Sequence, residues 1–203
     1  MSSPKGKTAA TAATKPSIFN FKEQVARYGE YHSNRVNQII HMIFVPVILW
    51  TAFVWLTAVG PFATLPKVSP WAQPTAAVIA GTLFNLYYIA LEPMTGLLYI
   101  PQMCLLLYSA YVFAHSPSVA HPHWVAFGVH VVSWIAQFWG HGKHEGRKPA
   151  LLDNLFQSLV MAPLFVFLET LFLVGYRPQL HRLVRNESGK RRAAWLRSLK
   201  KAH

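Results

Sequence analysis

Five apolar runs dominate the chain, at about residues 39–59, 71–91, 96–114, 124–140 and 155–176. Each is close to the ~20 residues that an α-helix needs to cross a hydrocarbon core. Short polar breaks rich in proline and glycine separate them: GPFATLPKVSP after the first, Glu92-Pro93 after the second and HSPSVAHPH after the third. Pro46, Pro101 and Pro163 fall inside runs, and Pro46 is expected to bend the first. Ahead of them, residues 17–38 read as an amphipathic helix with Phe19, Phe21, Val25, Tyr28 and Tyr31 on its apolar side. The pattern predicts an all-α polytopic integral membrane bundle with about four to six membrane-embedded helices.

Charge sharpens this picture. Between Gln38 and Gly142 only Lys67 and Glu92 carry a formal charge. Residues 1–37 hold six basic and two acidic side chains, and residues 176–203 hold nine and one, which accounts for the whole net charge of +12. Basic ends around an apolar middle fit a membrane protein with both termini on the cytosolic side, which requires an even number of crossings. Five full crossings would break that parity. The segment around Glu92-Pro93 or the Pro163 segment is therefore expected to be re-entrant or to stop at the interface. A nucleic-acid partner is excluded, because the aromatics lie in the apolar runs and not on a basic face. Residues 1–16, small and basic with no apolar stretch following at signal-peptide distance, read as a disordered tail. Residues 17–178 read as the membrane-embedded domain and 179–203 as a basic cytosolic tail. The single cysteine, Cys104, allows no internal disulfide.

Histidines supply the candidate chemistry. His32, His41, His130, His141 and His144 lie in or beside the apolar runs, where an imidazole is costly unless something binds it. A metal site at the membrane face is one reading, and hydrogen-bonded interfacial histidines are the other. His32 and His41, nine residues apart, would face opposite sides of one continuous helix, so they meet only if the chain breaks, and Ser33-Asn34 is a suitable place. His130 and His141 share a face but stand ~16 Å apart along an unbroken helix. His141, His144 and Glu145 have i, i+3, i+4 spacing, and two imidazoles with one carboxylate form a set that suits non-haem Fe(II). Arg147 suits a carboxylate head group or a lipid phosphate. Asp153 reads as a helix cap or as a hydrogen-bond partner of a ligand histidine. Glu169, inside the last run, needs a partner.

Three stretches carry a family resemblance: YHSNRVNQIIHMIFVP (31–46), PMTGLL (93–98) and WIAQFWGHGKHEGRKPALLDNLFQSLVMAPLFVFLE (134–169). In the last, GH, E, R, PAL and DN follow in order. Over residues 19–178 the chain resembles the Mpo1-like family of 2-hydroxy fatty acid dioxygenases. The resemblance implies an Fe(II) enzyme of the endoplasmic reticulum membrane that uses O2 to shorten a 2-hydroxy long-chain fatty acid by one carbon, the α-oxidation needed to degrade phytosphingosine. It implies His32, His41 and His141 as the core metal set, with His130 next and His144 last, since position 144 departs from the aromatic expected there. Arg147 or Lys148 would steady the substrate carboxylate, with Asn37, Glu145 and Asp153 behind the ligands. Three rivals make different predictions. A non-enzymatic membrane scaffold binds no metal, a transporter shows proton-coupled flux, and a di-iron hydroxylase needs HxxxH and HH clusters that this chain lacks.

Overall fold

The computed structural model of the protein describes residues 17–148, 151 and 154–202. Among these residues it is all-helical, with α1 (Phe21–Gly29), α2 (Arg35–Thr57), α3 (Ala76–Leu91), α4 (Pro93–Ala114), α5 (Pro122–Gly140), α6 (Ala162–Leu173) and α7 (Pro178–Ala202). The expectation for residues 1–16 lies outside the described residues. Residues 17–38 do not form one helix. Asn20 caps α1, the chain leaves helical geometry after Gly29, and Asn34 caps α2 by accepting from the Val36 amide at 2.9 Å. That break decides where His32 points.

α2 runs unbroken through Pro46, and α4 through Pro101. Both are long and apolar enough to cross a bilayer, whereas α3 and the Ser158–Leu173 segment are shorter apolar helices. α2 is the central element, packing most extensively on α5 and also on α3, α4 and α6. The buried core is continuous across these helices and includes Phe53, Val54, Tyr88, Tyr99, Met103 and Leu164. Many large apolar side chains instead face outward, among them Leu83 on α3, Leu105 on α4, and Ile135 and Trp139 on α5. Exposed apolar surface of this extent marks a contact with a membrane or a partner protein.

The turn between α3 and α4 is tight. Glu92 ends α3 and caps α4 by accepting from the Thr95 amide and hydroxyl, and Pro93 takes the first helical position. A side chain at Gly96 would put its Cβ 2.6 Å from Tyr88 and Ile89 backbone carbons, so glycine is required for the close approach. α6 does not run the length of the bundle. Phe165, near its start, packs on Tyr28, and Arg177, just beyond its end, pairs with Glu92 at 2.8 Å. Both contacts lie at the end of the bundle that carries α1. The basic segment after residue 178 folds as α7, which packs along α1. Arg191 on α7 pairs with Glu23 on α1 at 2.7 Å.

Candidate metal centre

Three imidazoles converge where α1, α2 and α5 meet. His32 sits in the break before α2, His41 lies in the second turn of α2, and His141 follows α5 at the start of a π-helical turn, His141–Glu145. The ring centroids are 4.3 Å apart for His32 and His41, and 4.8 Å for each with His141. One candidate ligand atom from each lies within 4.8 Å of the others, and all three residues are buried. Nine residues of sequence thus bring His32 and His41 to one point because the helix restarts between them.

The backbone sets the tautomers. His32 Nδ1 lies 2.8 Å from the Tyr28 carbonyl and His41 Nδ1 lies 2.9 Å from the Asn37 carbonyl. A carbonyl only accepts, so each Nδ1 carries the proton and each Nε2 keeps its lone pair for a ligand bond. Nε2 of His32 and Nδ1 of His141 are buried without a hydrogen-bond partner. Burial drives the pKa of His32 well below 6.5, with the neighbouring His41 and His141 rings adding to the shift. Burial likewise lowers His141 to about 4, against the opposing pull of Glu145. Three buried imidazoles at this separation could hold a first-row divalent metal, and imidazole donors are compatible with iron. Tyr28 stacks on His32 with the rings 4.1 Å apart and 5° from parallel, fixing the ring plane.

Glu145 holds the site together without joining the cluster. Its carboxylate accepts from the Ser33 amide and the Asn34 amide, each at 2.6 Å, from the Ser33 hydroxyl at 2.9 Å and from Asn37 Nδ2 at 3.3 Å. Arg192 of α7 completes the set at 2.5 Å. An anion on the exposed amides at the start of α2 is favoured by the helix dipole. The i, i+3, i+4 set of His141, His144 and Glu145 is therefore not a ligand triad, because the carboxylate is already saturated. His144 instead sets its ring edgewise on Trp139, 5.0 Å away.

The other candidates fall in distinct places. His130 is outside the cluster, with both ring nitrogens engaged: Nδ1 lies 2.7 Å from the Thr51 hydroxyl, and Nε2 accepts from Trp134 Nε1 at 2.8 Å. Arg147 pairs with Glu30 at 3.0 Å, and its guanidinium lies 3.5 Å from the Tyr31 ring centre and 4.7 Å from that of Trp195. It does not line the cavity described next, and Lys148 is exposed. Asn37 is fully buried and joins Glu145 to the carbonyl that orients His41. Asp153 lies outside the described residues. Glu169 lines a small second pocket behind His32 and His41.

A cavity of about 260 Å³ opens from the three histidines and runs between α2 and α5. On α2 it follows His41, Val45, Leu49, Ala52 and Leu56, and from His141, just past α5, it reaches back along α5 to His130. Its walls are mostly apolar, and Phe84 and Pro163 close its sides. The site thus joins a polar head to a long greasy channel. The stacking of Tyr28 and the clasp between Glu145 and Arg192 gave no signal in sequence. Gln137 did, as one of the few polar side chains in an apolar run and one turn ahead of His141.

The chain is 35% identical over 163 residues, 80% of its own length and 86% of the relative's, to 2-hydroxy-palmitic acid dioxygenase MPO1 of Saccharomyces cerevisiae. No solved structure matches the chain. Residues 18–174 match the family described as 2-hydroxy-palmitic acid dioxygenase Mpo1-like. The three converging histidines and their apolar channel are thus the centre of a protein that belongs to the Mpo1-like family.

Proposed function

We propose that this protein is an Fe(II)-dependent dioxygenase that shortens 2-hydroxy long-chain fatty acids by one carbon. The observation that carries the reading is the junction of three neutral, buried imidazoles with the head of an apolar channel. His32, His41 and His141 would hold the metal, which supplies when bound a Lewis acid for the 2-hydroxy acid and the electron exchange that makes O2 reactive. The Tyr28 and Asn37 carbonyls keep the ring protons on Nδ1 of His32 and His41, so both Nε2 atoms stay available. Val45, Leu49, Phe53 and Phe84 would surround the acyl tail and exclude water, at roughly 0.8 kcal/mol per buried CH2.

The reaction balances without a separate reductant. The bond between C1 and C2 breaks, C2 becomes the carboxyl carbon of the shorter acid, C1 leaves as CO2, and the remaining oxygen leaves as water. The hydroxy acid supplies all the electrons that O2 takes up. α-Oxidation of the 2-hydroxy acid formed from phytosphingosine is the role this chemistry serves.

A bilayer is the proposed setting, in the endoplasmic reticulum with both basic ends cytosolic. Four crossings, α2 to α5, satisfy the even parity that the charge distribution asks for. α6 would lie at the cytosolic interface, because the contacts near both its ends fall beside α1 and the α3–α4 turn. Purified protein loaded with iron should consume O2 with 2-hydroxypalmitate and release the acid one carbon shorter. Binding of iron with neither oxygen uptake nor product would overturn the reading.

A further inference from the structure

One polar side chain in the channel is left unexplained by the metal set. Gln137 lies on α5, four residues before His141, so both project from the same helix face. It lines the cavity and is 4% exposed, yet its amide nitrogen Nε2 is buried without a hydrogen-bond partner. A buried donor left unpaired is destabilising, so its retention implies a partner that arrives from outside. Apart from the three imidazoles of the cluster, two other polar groups nearby are engaged. His130 has both nitrogens occupied, and the Ser158 hydroxyl reaches the Asn154 carbonyl at 3.3 Å. Among the described residues no lysine or arginine lines the cavity, and Arg147 is held by Glu30 and Tyr31.

We infer that Gln137 binds the carboxylate of the acid in the channel through its Nε2–H, and so selects acids over alcohols of the same chain length. The inference rests on the proposed function for the identity of the acid. A neutral amide suits this place. It donates to an anion more strongly than to a neutral oxygen, and it adds no cation beside the three imidazoles. The one-turn offset from His141 places the contact at the head of the channel, where the carboxyl group must sit for the bond next to it to be cut.

The test uses full-length, metal-free protein in detergent, with palmitate and 1-hexadecanol as probes. Gln137→Met keeps the bulk and removes the donor. Gln137→Glu keeps the shape and adds a negative charge. Palmitate should bind about tenfold more weakly to Gln137→Met, as expected for losing a hydrogen bond to a charged group, and more weakly still to Gln137→Glu, with hexadecanol unchanged in both. Unchanged palmitate affinity in Gln137→Met, or equal weakening of both probes, would overturn the inference. If Gln137→Met does not fold, Gln137→Glu alone must weaken palmitate and spare hexadecanol. The two readings fail separately. Wild-type protein that binds iron and prefers palmitate but does not turn over 2-hydroxypalmitate sinks the reaction alone. Turnover in wild type with undiminished palmitate binding in the variants sinks the role of Gln137 alone.

Discussion

Glu145 is the residue on which the centre's geometry depends, although it contributes no ligand. Its buried carboxylate ties Ser33 and Asn34, 112 and 111 positions away, to the end of α5, and so fixes the break that carries His32. Glu145→Ala leaves two amides, Asn37 and Arg192 without their acceptor. The expected cost is about 3 kcal/mol or more, read as a lower unfolding midpoint together with loss of iron. The histidines themselves predict a pH dependence. His141 has a folded pKa of about 4 against an ordinary value of 6.5, and burial pushes His32 well below 6.5 too. Each stays neutral in the folded chain while the unfolded chain takes up protons. Their contribution to stability is full above pH 6.5 and is lost as pH falls toward 4. Thermal midpoints of the metal-free protein should fall across that window, and His141→Asn should flatten the fall. The resemblance already grouped His32, His41 and His141, but the partners of Glu145 were not legible in sequence. Nothing in periodicity links Glu145 to Ser33, so the local HxxHE spacing pointed to a ligand triad that the carboxylate's real partners preclude.

The elements meet closely at the α2–α5 crossing. Gly140 is the last residue of α5, and a Cβ there would lie 2.5 Å from Asn37 Oδ1 on α2. Asn37 is fully buried and cannot move away without releasing Glu145 and disturbing the carbonyl that orients His41. Gly140→Ala should therefore destabilise the protein by about 1–3 kcal/mol and lower iron occupancy, whereas Gly142→Ala, where the added carbon meets nothing, should do neither. Denaturation curves and metal analysis on the two variants check this. The apolar runs located α2 to α5 well, because long unbroken hydrophobicity is a local property. They did not reveal where α1 stops, after Gly29, although Ser33-Asn34 stood out as a place for the chain to break; the Glu145 carboxylate that holds the break comes from 111 positions away. The C-terminal segment was legible as charge, and its packing on α1 depends on pairs such as Arg191 with Glu23 that only the fold brings together.

At the scale of the whole molecule, the bundle has a reactive end and a plain end. α1, the histidine cluster, α6 and α7 share one end, and the loops at 58–75 and 115–121 share the other. The proposed four crossings would place these ends on opposite faces of the membrane. In sealed microsomes a water-soluble maleimide should label Lys200→Cys from outside and Ser69→Cys only after the membrane is opened. Cys104, exposed on the flank of α4, should resist labelling in both cases, because the hydrocarbon around it excludes reagent and thiolate alike. Labelling of both introduced cysteines from one side would refute the topology. Charge at the ends suggested an even number of crossings, and the contacts of Phe165 and Arg177 that place α6 beside α1 and the α3–α4 turn are long-range and left no trace in the local pattern.

The most direct measurement is the iron-to-protein ratio of the purified chain after anaerobic loading with Fe(II), compared across single histidine variants. Wild type and His130→Ala should each hold one iron per chain, and His32→Ala, His41→Ala and His141→Ala should hold almost none. Full occupancy in those three variants, or no iron in the wild type, would contradict a ferrous centre built from these imidazoles.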